Sequence, residues 1–304
     1  MDYDVVVIGG SFAGLSAAMQ LARARRRVLV LDTDAPRNRY AATSHGFPGQ
    51  DGRRPAEINA TLRADLLAYP TVTFRTEAAV AAEGRDGEFR VSLAAGDEVA
   101  ARRLVLAYGV RDTLPDLPGL AERWGVSVLH CPYCHGYELG QRPLGVLARS
   151  EAAFHQAMLL PDWGATTLLT QAAFTPTSDE LRLLGLRGVT IETTPVTGLI
   201  GTSPNLEAVQ LADGRTIPLA GLFVAPLTAP AGDLARQLGC RTKEGPTGPY
   251  VEVDAMQATT VAGVFAAGDL ASPMPNATLA SAAGVLAGGA AHRSLVFDAA
   301  LAAA

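Results

Sequence analysis

The first 32 residues restrict the fold more than any other part of the chain. Asp4 to Ile8 is a valine-rich apolar run, broken by Gly9 and Gly10. Phe12 to Ala24 is rich in Ala and Leu at helical spacing, and Arg23, Arg25, Arg26 and Arg27 at its end suit a helix C-terminus. Val28 to Leu31 is a second apolar run, closed by Asp32. Short continuous apolar runs of this kind are buried parallel strands. Strand, helix and strand in so short a span make a βαβ unit, so the chain opens as a parallel α/β domain.

A second such unit starts near Pro143. Leu144 to Leu147 reads as a strand, Glu151 to Trp163 as a helix and Thr166 to Thr170 as the next strand. The 304 residues are enough for two domains at roughly 150 each. Proline-bearing stretches at Arg111 to Gly119 (RDTLPDLPG) and Ala225 to Gly232 (APLTAPAG) suit crossings between them. The expected class is α/β, with two Rossmann-like dinucleotide-binding domains, the second inserted in the first. Residues 1–112 and 231–304 would form the outer domain, and 113–230 the inserted one.

Composition narrows the function classes. Hydrophobic residues make up 48% and charged residues 18%, which excludes a disordered chain. A net charge of −5 offers no basic field for nucleic acid. Three cysteines exclude a disulfide-stapled secreted scaffold, and the start MDYDVVVIGG has no basic signal region, so a soluble cytoplasmic protein is expected. Leu270 to Ala291 lacks charge, but Pro273, Pro275 and Asn276 open it and small residues fill the rest. A tightly packed helix is expected there, not a membrane span.

After the first strand comes Gly9-Gly10-Ser11-Phe12-Ala13-Gly14, a G-x-G-x-x-G fingerprint with Ser11 at the middle glycine. Gly9 allows the tight turn, and Gly14 allows close helix–strand packing. The helix N-terminus offers N–H groups and a positive dipole end to a pyrophosphate. Asp32, 18 positions past Gly14, suits a carboxylate on a ribose diol and repels a 2′-phosphate. The bland alternative is a glycine turn in an ordinary α/β domain. A second signal is Gly263-Val264-Phe265-Ala266-Ala267-Gly268-Asp269, with a helix from about Asn276. There Asp269 could hold a ribityl hydroxyl, and the helix N-terminus would suit the anionic edge of a reduced flavin.

The most informative stretch is His130-Cys131-Pro132-Tyr133-Cys134-His135-Gly136-Tyr137-Glu138. CxxC spacing lets two thiols close a small disulfide ring, and in a cytosolic α/β protein it reads first as a redox pair. The rivals are a structural thiol pair and a zinc site. Zinc wants four ligands, and beyond His130 and His135 the remaining thiol, Cys240, is distant in sequence. His135 could take and return a thiol proton, with His130 as runner-up; the alternative is a surface histidine in a turn. Tyr133, Tyr137 and Trp124 could shape a substrate pocket, or simply pack.

A flavin fingerprint at the start, GVFAAGD near the end and a CxxC in an inserted α/β domain together resemble the low-molecular-weight thioredoxin reductases, over nearly the whole chain. Within that superfamily CPYCHGYE is similar to the flavin-dependent dithiol oxidases that close the disulfides of gliotoxin and holomycin. Thioredoxin reductases usually carry Asp after the second cysteine; this chain carries His135. The resemblance implies FAD in the outer domain and a homodimer. Gly9, Gly10, Ser11, Phe12, Ala13 and Gly14 would cradle the pyrophosphate and Asp32 the adenosine ribose. Arg37 and Asn38 would add contacts, Val80 would lie against adenine, and His45 is a candidate near the flavin. Gly268, Asp269, Ala277 and Thr278 would hold the ribityl chain and ring. The family's Ala-Thr-Gly strand end stands here as Ala107-Tyr108-Gly109, which keeps Gly109 but replaces the threonine. Cys134 would face the flavin, and Cys131 would exchange with a small dithiol or a thioredoxin-like protein.

The second α/β unit departs from that family. After its strand comes Gly145-Val146-Leu147-Ala148-Arg149-Ser150-Glu151-Ala152-Ala153, with no further glycine, a negative Glu151 where phosphates would sit, and Arg149 as the one local cation. The next strand ends Thr170-Gln171-Ala172-Ala173, with neither an arginine cluster for a 2′-phosphate nor a carboxylate for a ribose. Poor NAD(P)H binding is therefore expected. Three functions follow: an FAD enzyme oxidising dithiols, a disulfide reductase fed by NADPH or another donor such as ferredoxin, or a non-catalytic flavin-bearing redox sensor.

Overall fold

A computed structural model describes residues 2–302. The chain divides into two units. The first holds residues up to Arg37, Ala56–Arg111 and the chain from Thr228 onward; the second holds Asn38–Pro55 and Asp112–Leu227.

In the first unit β1 (Tyr3–Ile8) is followed by α1 (Phe12–Arg23) and β2 (Val28–Asp32). Next, α2 (Pro55–Leu67) leads to β3 (Val72–Thr76). An antiparallel meander follows: β4 (Ala79–Arg85), β5 (Glu88–Leu93) and β6 (Glu98–Leu106). The sheet runs β3-β2-β1-β6-β5-β4, with β1 parallel to both β2 and β6. Strand order therefore reverses at β1, and the loop after it opens at the switch point where such sheets bind ligands. Val6, Leu29 and Leu104 face one apolar layer, and Val5, Val7, Val30 and Val105 face the other. Burial on both faces is why these strands are apolar at every position.

The chain crosses to the second unit along β7 (Val110–Thr113). There β8 (Val128–Leu129), α3 (Pro132–His135), β9 (Gln141–Leu147), α4 (Ala153–Leu159), β10 (Gly164–Leu169), α5 (Ser178–Leu186) and β11 (Thr190–Glu192) follow in order. A separate antiparallel sheet comprises β12 (Val196–Ile200), β13 (Ala208–Leu211) and β14 (Thr216–Pro218), before β15 (Gly221–Phe223) rejoins the parallel sheet. That parallel sheet runs β11-β10-β9-β15-β8. Expected helix Glu151–Trp163 is cut to α4 and a 3₁₀ turn, Leu160–Asp162. Pro161 accounts for the break, since it supplies no helical N–H.

The chain returns along β16 (Leu227–Pro230), which pairs with β7. After α6 (Leu234–Gln237) and the hairpin of β17 (Thr242–Glu244) and β18 (Pro249–Val251), β19 (Val264–Ala266) joins β6 in parallel. The long α7 (Ala277–Ala302) then packs on α1. A Cβ on Gly284 or Gly288 would run into the carbonyls of Ala13 and Ala17, so these glycines let the two helix backbones meet. That packing accounts for the small residues of the charge-free run. Among the described residues no helix is long and apolar enough to cross a membrane.

Segment 38–55 groups with the second unit, although its sequence position puts it inside the expected first domain. It is polar and has no hydrophobic period, so only tertiary contacts reveal where it belongs.

Candidate active site

Two constellations carry the chemistry, one in each unit. In the first, Gly9 turns with φ +109°, and the Ala107 carbonyl lies where its Cβ would be. A Cβ on Gly14 would meet the Gly9 carbonyl, so the turn and the first turn of α1 touch backbone to backbone. Gly10 has Asp32 and Phe74 against it, and its N–H donates to Asp32 Oδ1 at 2.9 Å. Asp34 N–H donates to Asp32 Oδ2 at 3.1 Å. These bonds aim the carboxylate at the turn and leave it acceptor capacity for a ribose diol. Ser11 is the N-cap of α1, without a side-chain capping bond and with no acid in the first turn of the helix. Its hydroxyl points at Asn59 Oδ1, 3.5 Å away. Phe12 and Ala13 are buried at the base of the turn.

The C-terminal signal meets the N-terminal one. Gly268 has φ +74°, and a Cβ there would stand 2.9 Å from that of Ala13. Asp269 and Arg37 form an ion pair at 2.9 Å and line a small pocket with Val110, Thr228, Thr247 and Tyr250. Nothing in the sequence marked Thr228 or Tyr250, because they arrive on the return strand and its neighbouring hairpin. Gly109, with φ +70°, accepts from Ala231 N–H, and the Tyr108 hydroxyl accepts from Ala235 N–H at 3.1 Å. Burial pushes that phenol up to about 12. Val80 is exposed on β4, four residues after the end of β3, the strand whose Thr76 pairs with Asp32. Ala277 and Thr278 open α7, but Asn276 Oδ1 accepts from Thr278 N–H (2.8 Å) and Leu279 N–H (3.1 Å). Part of the helix N-terminus expected to face a flavin is thus capped from within. Asn38 lies in the 3₁₀ turn Arg37–Tyr40, where its carbonyl accepts from Ala41 N–H.

This unit fits FAD. A turn too tight for side chains, an aimed carboxylate, an acid-free helix start and a second Gly-Asp turn packed on the first all converge.

The second constellation is the cysteine turn. Cys131 and Cys134 form a disulfide with Cα atoms 5.3 Å apart. Cys131 is the N-cap of α3, and Pro132 holds its first position, where no N–H is needed. Gly136 closes the turn because a Cβ there would stand 2.7 Å from the Trp163 ring, which also meets Tyr133 edge-on. Gln156 Nε2 donates to the His130 carbonyl at 2.6 Å, which fixes the entry to the turn. Tyr133 and Tyr137 are 70% and 85% exposed, while Trp124 packs in the core beside β12–β14. His135 is half-buried; burial lowers its pKa, Glu138 opposes that and His45 adds to it. At neutral pH it is therefore an unprotonated base beside the disulfide. His45 stands on the 38–55 segment, next to Glu138, 3.5 Å away. Its contacts, Glu138 and Asp51, belong to the same unit as the disulfide. Cys240 is buried in the first unit, within reach of Thr259, with its thiol pushed up by burial. Among the described residues no three His, Cys, Asp or Glu side chains converge as a metal site.

The β9–α4 turn has the topology of a nucleotide site but not its lining. Gly145 lies within β9, and the space of its absent Cβ is taken by methyls of Leu219 and Leu222 at 2.6 and 2.9 Å. It serves the core, not a phosphate. Arg149 donates to the Thr113 carbonyl, and α4 spans only seven residues with no side-chain cap. Gln171 and Ala172 both have positive φ at the end of β10. The residues present do not fit a nicotinamide dinucleotide.

Residues 3–157 and 173–284 match the family described as pyridine nucleotide-disulphide oxidoreductase. The protein called thioredoxin reductase sirT, from Leptosphaeria maculans, is 32% identical over 94% of this chain and 92% of its own. A crystal structure of an oxidoreductase from Agrobacterium tumefaciens is 48% identical, with a TM-score of 0.94, covering 98% of this chain and 99% of that one. The crystal structure of HlmI is 38% identical, with a TM-score of 0.91, covering 99% and 94%.

Proposed function

Since the chain belongs to the pyridine nucleotide-disulphide oxidoreductase family, as a thioredoxin reductase-like member, we propose that it is an FAD-dependent dithiol oxidase with Cys131–Cys134 as its redox centre. One observation carries this reading: a half-buried Cys131–Cys134 disulfide followed directly by His135, whose burial favours the unprotonated ring.

A substrate thiolate attacks Cys131 Sγ, and Cys134 leaves as a thiolate. The second substrate thiolate then attacks the substrate sulfur of the mixed disulfide and releases Cys131. The substrate leaves as a disulfide and the enzyme keeps two thiols. His135 receives a thiol proton at its imidazole and yields it to solvent. FAD, when bound, would supply the two-electron acceptor needed to restore the enzyme disulfide, with oxygen or another acceptor taking those electrons onward. Gly9 to Gly14, Asp32, Arg37 and Asn38 would hold its dinucleotide half, with Val80 against adenine. Gly109, Gly268, Asp269, Ala277 and Thr278 would hold the rest. Arg37 would have to exchange part of its bond to Asp269 for a ligand oxygen. His45 is not assigned to the flavin.

The β9–α4 turn, which has no glycine from Ala148 to Ala152 and carries Glu151 near the helix start, supports poor NAD(P)H use. Losing even two charge-assisted phosphate bonds, about 1.5–3 kcal/mol each, weakens binding by roughly two to four orders of magnitude. A cytoplasmic homodimer acting on a small dithiol completes the reading. The names of the relatives favour a second one, reduction of a thioredoxin-like protein with electrons from NADPH or a ferredoxin. Peroxide release is the assay. Turnover with a small dithiol that disappears in Cys134→Ser supports the oxidase; steady disulfide reduction driven by NADPH supports the reductase and contradicts the oxidase.

A further inference from the structure

His45 lies at the centre of a row of charged groups leading away from the disulfide turn. Its Nε2 is 3.5 Å from Glu138 Oε1, and its Nδ1 is 3.6 Å from Asp51 Oδ1. Thr43 Oγ1 is 3.0 Å from the same Nε2. Asp51 is fixed by the Gly46 N–H at 2.9 Å. Glu138 stands three residues after His135, in the 3₁₀ turn Tyr137–Leu139 that continues from α3. All these groups belong to the second unit. The His45 side chain is largely covered, at 18% exposed, while Glu138 and Asp51 reach water at 41% and 68%. At 3.5 and 3.6 Å these contacts are longer than good hydrogen bonds.

We propose that His45 is a positioning residue of the disulfide site: it shares the Glu138 carboxylate with His135 and thereby sets how much negative charge His135 meets when a thiol proton arrives. The inference rests on the dithiol reading for its chemistry. A proton passes from a substrate S–H to the His135 ring nitrogen, giving an imidazolium; no electrons move in this step. Glu138 steadies that imidazolium. His45 competes for the same carboxylate and is itself balanced by Asp51, so His135 gives its proton up again instead of holding it. Glu138 and Asp51 face His45 directly, and Glu138 stands three residues after His135 along the continuing helical turn. Their opposed effects on His135, Glu138 raising and His45 lowering, agree with this division.

The test reads the five histidines by NMR across pH in the oxidised holoenzyme, alongside the pH profile of thiol exchange. In Glu138→Gln, the His135 midpoint and the acid limb of exchange should both move to lower pH. In His45→Gln both should move to higher pH, and His45→Lys, whose ammonium places a cation at the same position, should restore the lower values. A merely structural role would lower melting temperature and leave the midpoints in place. An unmoved His135 midpoint in both the Gln variant at 45 and that at 138 overturns the proposal. Absence of dithiol turnover in the wild type, with the His135 shifts intact, instead overturns the functional reading.

Discussion

Gly14→Ala is the substitution that most cleanly probes the turn proposed to hold FAD. A methyl at Gly14 would collide with the Gly9 carbonyl and press on Val7 Cγ1 at 3.3 Å. Neither side is a flexible side-chain end, so the Gly9 turn or the start of α1 has to move. Overpacking of this kind costs about 1–3 kcal/mol. If the turn yields by losing one backbone N–H bond to a phosphate, the loss is about 1.5–3 kcal/mol, roughly tenfold to a hundredfold or more in FAD affinity. Gly288→Ala is the matched control. Its methyl would strike the Ala17 carbonyl, in the same helix pair but away from the turn. FAD fluorescence titrated with each apoprotein gives the affinities, and thermal melts of the same samples give the stabilities. Gly14→Ala should bind FAD at least about tenfold more weakly, whereas Gly288→Ala should melt earlier yet bind within about threefold of the wild type. Wild-type FAD affinity in Gly14→Ala, or equal losses in the two variants, would refute the assignment of the turn.

Two pH effects follow from other groups. His135 is lowered by burial, so the acid limb of dithiol turnover should fall below the ordinary histidine value of 6.5, and His135→Gln should remove that limb while leaving the disulfide present. A limb unchanged in His135→Gln would assign the proton to another group. In the second unit Arg215 bonds hold the Glu192 carboxyl near pH 2, against an ordinary 4.5. A depressed carboxyl contributes stability that is complete above its unfolded value and disappears as pH falls through the folded one. Arg215→Gln should therefore lower the melting temperature at neutral pH, with the difference shrinking between about pH 4.5 and pH 2. A difference independent of pH would show that Arg215 acts through packing.

The outer framework was legible because its signals are local and strong. Apolar runs of four to six residues bounded by glycine and aspartate specify β1 and β2, and Gly9, Gly14 and Asp32 carry their chemistry in their spacing. The shortened α4 was less legible, since the alanine and leucine pattern continues through Pro161 and only the missing N–H ends the helix. Residues 38–55 were illegible as to unit, because a polar segment without a period is positioned by distant partners such as Glu138. The sequence shows no glycine after Gly145 in the following turn, but the reason Gly145 is glycine, the Leu219 and Leu222 methyls, comes from residues far along the chain. Asn276 is a typical N-cap residue two positions before Thr278, a signal that was there to be read.

An anaerobic spectral titration of the holoenzyme compares reductants most directly. A small dithiol should bleach the flavin band of the wild type, NADPH and NADH should leave it standing, and Cys134→Ser should resist the dithiol. Rapid bleaching by NADPH, or a Cys134→Ser band that fades with dithiol as fast as the wild type, would contradict an electron path through Cys131 and Cys134.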